Sequence, residues 1–291
     1  GDTGGIAPAR LEAFIGRCWD AGLEIGSSVR SVDECLAEAT KDVTVQTSLL
    51  ESRLITGDKR LYEAFRERFD GSIDPQAFFA AKSQEMRHRH HKYDDTPYAL
   101  EPNCKESPGG LRDLQTVRWV AQAAGFGQRW DDYAKNGLAT PFEVLQLKRN
   151  EATLSLIRAR LHVVANRRED RLVFDLQTAV ASTFGYEGGQ RRSSEALMRR
   201  YYWAAKAVTQ LTEILMLNIA ERLQPVAEEP TQINERFFER AGLIEVASDD
   251  LYQRDPHAIL ETFLVHQQSI VTIGLSARTL RALYNARGVM D

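Results

Sequence analysis

The sequence predicts a mainly α fold, with a short strand-and-helix portion at the front and a large helical bundle behind it. Three observations carry that expectation. Apolar residues keep helical spacing almost without relief from about residue 74 to residue 223. Helix starts are marked by capping signals, Ser31 with Glu34 and Thr140-Pro141 with Glu143. In the first half Leu23 to Arg30 is the best strand candidate.

The elements follow in order. Residues 8 to 21 place Leu11, Phe14, Ile15 and Cys18 on one helical face, and Gly22 ends that helix. After the strand over 23–30, Ser31 opens a helix from Val32 to Thr40. Asp42 caps the next, expected to run through Leu54 to a stop at Gly57. Lys59 to Phe69 is a short charged helix, closed by a turn over 70–72. Asp74-Pro75 opens a helix to about Tyr93, and Leu111 to Ala124 forms another. Behind Thr140, a stripe of Val144, Leu147, Leu154, Ile157 and Leu161 faces a core. The longest helix starts near Ser194, with Leu197, Tyr201, Ala205, Val208, Leu211, Leu215 and Ile219 along one side. Residues 224–230 are a linker, 237–252 hold a small hairpin or irregular segment, and two helices near 256–268 and 276–286 close the chain.

Bulk properties narrow the function classes. The 291 residues carry 37 Lys+Arg against 41 Asp+Glu, and the net charge of −4 gives no basic footprint for nucleic acid. No apolar run reaches the roughly 18 residues of a membrane span. Cys18, Cys35 and Cys104 form no CxxC pair, so neither a disulfide framework nor a zinc site is suggested and a reducing cytoplasm fits. Gly1 to Ala7 is Gly-rich without a signal-peptide pattern, and reads as a loop or the edge of an excised segment.

The stretch from Glu101 to Thr116 is the richest in chemistry. A polar loop with Lys105 and a Pro108-Gly109-Gly110 turn runs into a helix whose first turn holds Arg112 and Asp113. A helix start offers free N–H groups and a positive dipole end, so phosphate binding is one reading and a turn joining two helices is the other. The Lys does not follow the last Gly as in a P-loop. Glu24, on the expected strand, can hold Mg²⁺ or be a solvated edge residue. Metal-assisted transfer needs two or three such carboxylates, and no Asp/Glu-x-Asp/Glu spacing occurs in the chain. Arg53 either pairs along its helix or faces the strand and organises a nucleotide site. His88, His90 and His91 lie in the cationic run 87–92, read as a solvated basic face. None of the six histidines is followed by Asp, so a His-Asp phosphohydrolase pair is absent. Arg158, Arg160, Arg167, Arg168 and Arg171 are read as structural cations near a helix end.

Several segments together resemble one family. They are residues 23–32, Thr44 to Asp58, Arg89-His90 with Tyr93, and above all Glu101 to Thr116. Arg158-x-x-Leu161-His162, the run from Arg168 to Gln177, and Met198-Arg199-x-Tyr201-Tyr202 add to it. The chain is similar to the middle of the bifunctional protein-PII uridylyltransferase/uridylyl-removing enzymes, and more weakly to glutamine synthetase adenylyltransferase around Gly109 to Arg112.

That resemblance implies a parent enzyme with a polymerase-β-like nucleotidyltransferase domain, a helical domain, an HD phosphohydrolase domain and paired ACT domains. The expected division is residues 1–70 as the end of the nucleotidyltransferase domain, 71–225 as the helical domain, and 226–291 as a lead-in to the HD domain. Glu24 would match the third metal carboxylate, and Lys105, Ser107, Gly109, Gly110, Arg112 and Asp113, with Arg53, would line the nucleotide site. The implied reaction is attack of a PII tyrosine hydroxyl on UTP with Mg²⁺, in the cytoplasm, without nucleic acid or membrane. The fragment itself is expected to be inactive. A non-catalytic helical interaction module remains the alternative.

Overall fold

The computed structural model describes residues 8–23, 25–186 and 190–289. The chain divides into two compact units, Gly1–Asp74 and Pro75–Asp291.

The first unit holds α1 (Pro8–Asp20), α2 (Val32–Lys41), α3 (Val43–Leu50) and α4 (Lys59–Ser72). Ser31 accepts from the Glu34 amide while the Glu34 carboxylate takes the Ser31 amide, so the capping box forms as expected. Asp42 caps α3 by accepting from the Thr44 amide. That helix stops at Leu50 rather than Leu54, and side chains of α4 explain why. Arg66 Nη1 donates to the carbonyls of Leu49 and Leu50 at 3.0 and 3.3 Å, and Tyr62 Oη donates to that of Ser52 at 2.7 Å. Carbonyls that would have continued the ladder are satisfied from the side. The turn expected at 70–72 is instead the last turn of α4, where Ser72 Oγ bonds back to the Phe69 carbonyl.

The strand expected over 23–30 does not form over its described residues, 23 and 25–30. Residues 25–31 have no regular structure, and the strands of the described residues all lie between 231 and 275. An isolated extended segment has no ladder partner to make it a strand. Glu24 itself lies outside the described residues.

The second unit is built on α5 (Pro75–Lys92), α6 (Leu111–Ala123), α7 (Trp130–Lys135), α8 (Pro141–Ala165), α9 (Phe174–Thr183) and α10 (Gln190–Leu223). With 34 residues α10 is about 50 Å long, and it packs against α5, α6, α8 and α9. The apolar stripes expected on α8 and α10 are the core: Leu147, Leu154, Ile157 and Leu161 meet Leu197, Tyr201, Val208, Leu211, Leu215 and Ile219, all fully buried. Two short helices, α7 and α9, lack a side-chain N-cap hydrogen bond and were not anticipated.

Past the linker, β1 (Thr231–Gln232), β2 (Phe237–Arg240), β3 (Leu243–Val246) and β4 (Gly274–Leu275) form a sheet in that order, with β3 and β4 parallel. Phe237, Ile244 and Val246 pack on α11 (Leu251–Arg254), α12 (His257–Gln268) and α13 (Ala277–Asn285) through Tyr252, Ile259 and Ala282. The β2–β3 hairpin turns on Ala241 and Gly242, both at positive φ (51° and 79°). Such a turn favours Asn-Gly, since alanine pays for the left-handed conformation. Ala241→Asn should therefore raise stability by about 0.5–1 kcal/mol. A thermal midpoint unchanged or lowered by this substitution would contradict the turn geometry. No described helix is long and apolar enough to cross a membrane.

Candidate functional site

The loop from Glu101 to Gly110 is held from three sides. Its first residues pair with the segment before α9: the Leu172 amide donates to the Pro102 carbonyl at 2.9 Å and the Cys104 amide to the Asp170 carbonyl at 2.7 Å. Glu101 Oε1 accepts from the Phe174 amide at 2.8 Å, and Gln177 donates to the carbonyl of Leu100 at 2.9 Å. Asp170 is itself gripped by Arg158 at 2.5 Å and His162 at 3.0 Å. Burial works against its ionisation, but the hydrogen bonds from Arg158 and His162 prevail and hold its carboxyl below the usual range. The structural reading of the arginine cluster thus has named partners for Arg158. Burial pushes the Cys104 thiol up to about 12, which removes it as a nucleophile.

Within the loop, Asn103 Oδ1 accepts from the amides of Lys105 and Glu106 at 3.0 and 2.8 Å. Its own amide donates to Ser107 Oγ at 3.0 Å. The expected free N–H groups at the start of α6 are already taken. The amides of Gly110, Leu111, Arg112 and Asp113 donate to the carbonyls of Ser107, Cys104, Lys105 and Gly110, at 2.8 to 3.1 Å. The Gly109 amide donates to Asp113 Oδ2 at 2.7 Å. The chain folds back over the helix start and caps it with its own carbonyls, so the helix end is not an anion cradle.

Asp113 is the centre of the assembly. Its carboxylate is 0% exposed and accepts from Arg89 Nη2 at 2.7 Å, His90 Nε2 at 2.8 Å and the Gly109 amide. Arg89 also donates to the Glu106 carbonyl at 2.9 Å. Arg89 and His90 therefore point inward, which corrects the reading of 87–92 as a uniformly solvated face; His88 and His91 are exposed. Phe78, Lys82 and Arg89 follow helical spacing on the covered face of α5, and that spacing was the available signal.

Of the anticipated site residues, Ser107, Gly109, Gly110 and Asp113 are buried. Lys105 and Arg112 reach the surface, and with Arg89 they surround the carboxylate of Glu106. Arg112 lies over the Trp119 ring at 5.3 Å and donates to Gln115 at 2.9 Å, which fixes its guanidinium. Arg53 is exposed between α3 and α4 in the first unit. The residues around the loop do not fit a Mg²⁺ site: Asp113 has its oxygens engaged, and Glu106 is ringed by cations. No group of three His, Cys, Asp or Glu able to hold a metal occurs among the described residues.

Fold and loop together define the class: a helical bundle whose braced loop carries two partly exposed cations around Glu106, followed by a small α+β portion. The family model of the GlnD PII-uridylyltransferase matches residues 77–216, and that of the uridylyltransferase GlnD third domain matches residues 237–291. The chain belongs to the GlnD uridylyltransferase family. It is 61% identical over 285 residues to a bifunctional uridylyltransferase/uridylyl-removing enzyme of Cupriavidus pinatubonensis, covering 97% of this chain and 33% of that protein. Proteins of the same description from Ralstonia nicotianae and Burkholderia mallei are 60% and 58% identical over 97% of this chain and 33% of their own length. The chain thus spans about a third of these relatives. No solved structure matches it.

Proposed function

We propose that the chain is the helical portion of an enzyme that transfers UMP from UTP to the PII nitrogen-signalling protein, and that Lys105 and Arg112 contact the nucleotide's phosphates. The observation that supports this most is the convergence of those cations on one rim, held by a loop braced at Asp113, inside the segment matched by the uridylyltransferase model. Ser107, Gly109, Gly110 and Asp113 then hold the loop instead of touching the ligand. In this reading Mg²⁺ is held by carboxylates outside the described residues, Glu24 among them, and Arg53 belongs to the nucleotidyltransferase side. The chain alone is inactive, and it works in a reducing cytoplasm.

Lys105→Ala should weaken UTP binding about tenfold while leaving the thermal midpoint in place, because an ammonium–phosphate contact is a charge-assisted hydrogen bond. Calorimetric titration of UTP into this chain, and into one extended at its N-terminus by about 100 residues, provides the measurement. Unchanged affinity in the variant removes Lys105 from the site. The internally satisfied start of α6 favours a second reading, a non-catalytic interaction module; absence of UTP binding in both chain lengths would support it.

A further inference from the structure

Two carboxylates share this cluster, and they are held very differently. Asp113 is fully buried and bonded at 2.7 to 2.8 Å by Arg89, His90 and the Gly109 amide. Glu106 is 26% exposed, and its carboxylate meets its cations only loosely, Arg112 at 3.3 Å, Lys105 at 3.4 Å and Arg89 at 3.8 Å. The backbone of Glu106 is fixed, its amide on Asn103 and its carbonyl on Arg89, so the side chain alone is free to swing. Another acid near Lys105, Asp170, is occupied by Arg158 and His162.

We propose that the Glu106 side chain is an internal stand-in for phosphate, a displaceable carboxylate that occupies the Lys105–Arg112 rim until a phosphate-bearing ligand replaces it. This rests on the reading of those cations as phosphate contacts. Partly exposed pairs at such distances contribute little. A phosphate offers more charge and more acceptor oxygens to the same donors, so the exchange favours the ligand. The Glu106 carboxylate then sets a threshold: weak anions do not displace it, and a di- or triphosphate does. Arg112 stays in place throughout, held by Trp119 and Gln115.

The test is calorimetric titration of inorganic pyrophosphate into the 291-residue chain and its Glu106→Gln, Glu106→Ala and Lys105→Ala variants, each checked for an unchanged thermal midpoint. The expected result is about fivefold tighter binding in both Glu106 variants and weaker binding in Lys105→Ala. If Lys105→Ala weakens binding while the Glu106 variants bind equally or less well, the stand-in is overturned and the phosphate contact stands. If Lys105→Ala binds as the parent does, or pyrophosphate binds neither the 291-residue chain nor the N-terminally extended one, the phosphate contact falls and the stand-in with it.

Discussion

Gly109→Ala is expected to destabilise the second unit by about 3 kcal/mol or more, by two additive causes. Gly109 has φ +75°, a conformation that costs an alanine about 1–2 kcal/mol. Its Cβ would also stand 2.3 Å from the carbonyl oxygen of Ala205 and 2.8 Å from that carbonyl's carbon. Those atoms are backbone of α10, which is packed on α6, α8 and α9 and cannot retreat without moving the core. The Thr209 hydroxyl, also 2.8 Å away, already donates to the same Ala205 carbonyl at 3.0 Å. For a unit of this size the loss corresponds to a fall of roughly 6–12 °C in the thermal midpoint. A midpoint within a degree or two of the parent would show that the loop is not seated on α10. Gly110 is constrained by contact alone: its φ is −83°, but a Cβ would lie 2.7 Å from the Lys105 carbonyl oxygen.

How much of this was legible depended on whether a feature is local. The buried faces of α8 and α10 were readable because they repeat at helical period, and every stripe residue named on α10 is buried. The caps at Ser31, Asp42 and Thr140 were readable because each is closed within three residues. The end of α3 was not, because Arg66, 16 and 17 residues away, takes its last carbonyls. The loop shows the same division. Its glycines announced a tight helix start, yet the fate of the helix-start N–H groups depended on carbonyls that only the folded loop brings back. Asp113 was flagged as a site residue, but its partners Arg89 and His90 are 24 and 23 residues earlier. The charges of the cationic run do not say which members turn inward; the sign for Arg89 is its helical spacing from the buried Phe78 and Lys82. Family resemblance did pick out Arg89-His90 and the run from Arg168 to Gln177, and the pairing of 102–104 with 170–172 gives those segments a physical reason to belong together.

Asp113→Ala should cost about 3–5 kcal/mol, the range for removing one partner from a buried ion pair. The loss is not the strength of one bond. Removing the carboxylate strands the Arg89 guanidinium beside a fully covered site and leaves the Gly109 amide without its acceptor. Arg89→Met should also destabilise, because it leaves the Asp113 charge with fewer donors. The double variant separates the two parts of the loss. If the charges matter mainly through each other, Asp113→Ala with Arg89→Met will be less damaging than the sum of the single changes, by about 1–3 kcal/mol. Denaturant midpoints of the four proteins give this coupling directly, and simple additivity would mean that Asp113 acts through the Gly109 amide and His90 alone. The outcome also bears on binding. Lys105 and Arg112 can present a fixed anion site only if the loop between them is rigid, and the rigidity runs through Asp113, which ties Gly109 to α5. Near-parental stability with Asp113→Ala would place the source of that rigidity in the backbone bonds of 103–113 instead.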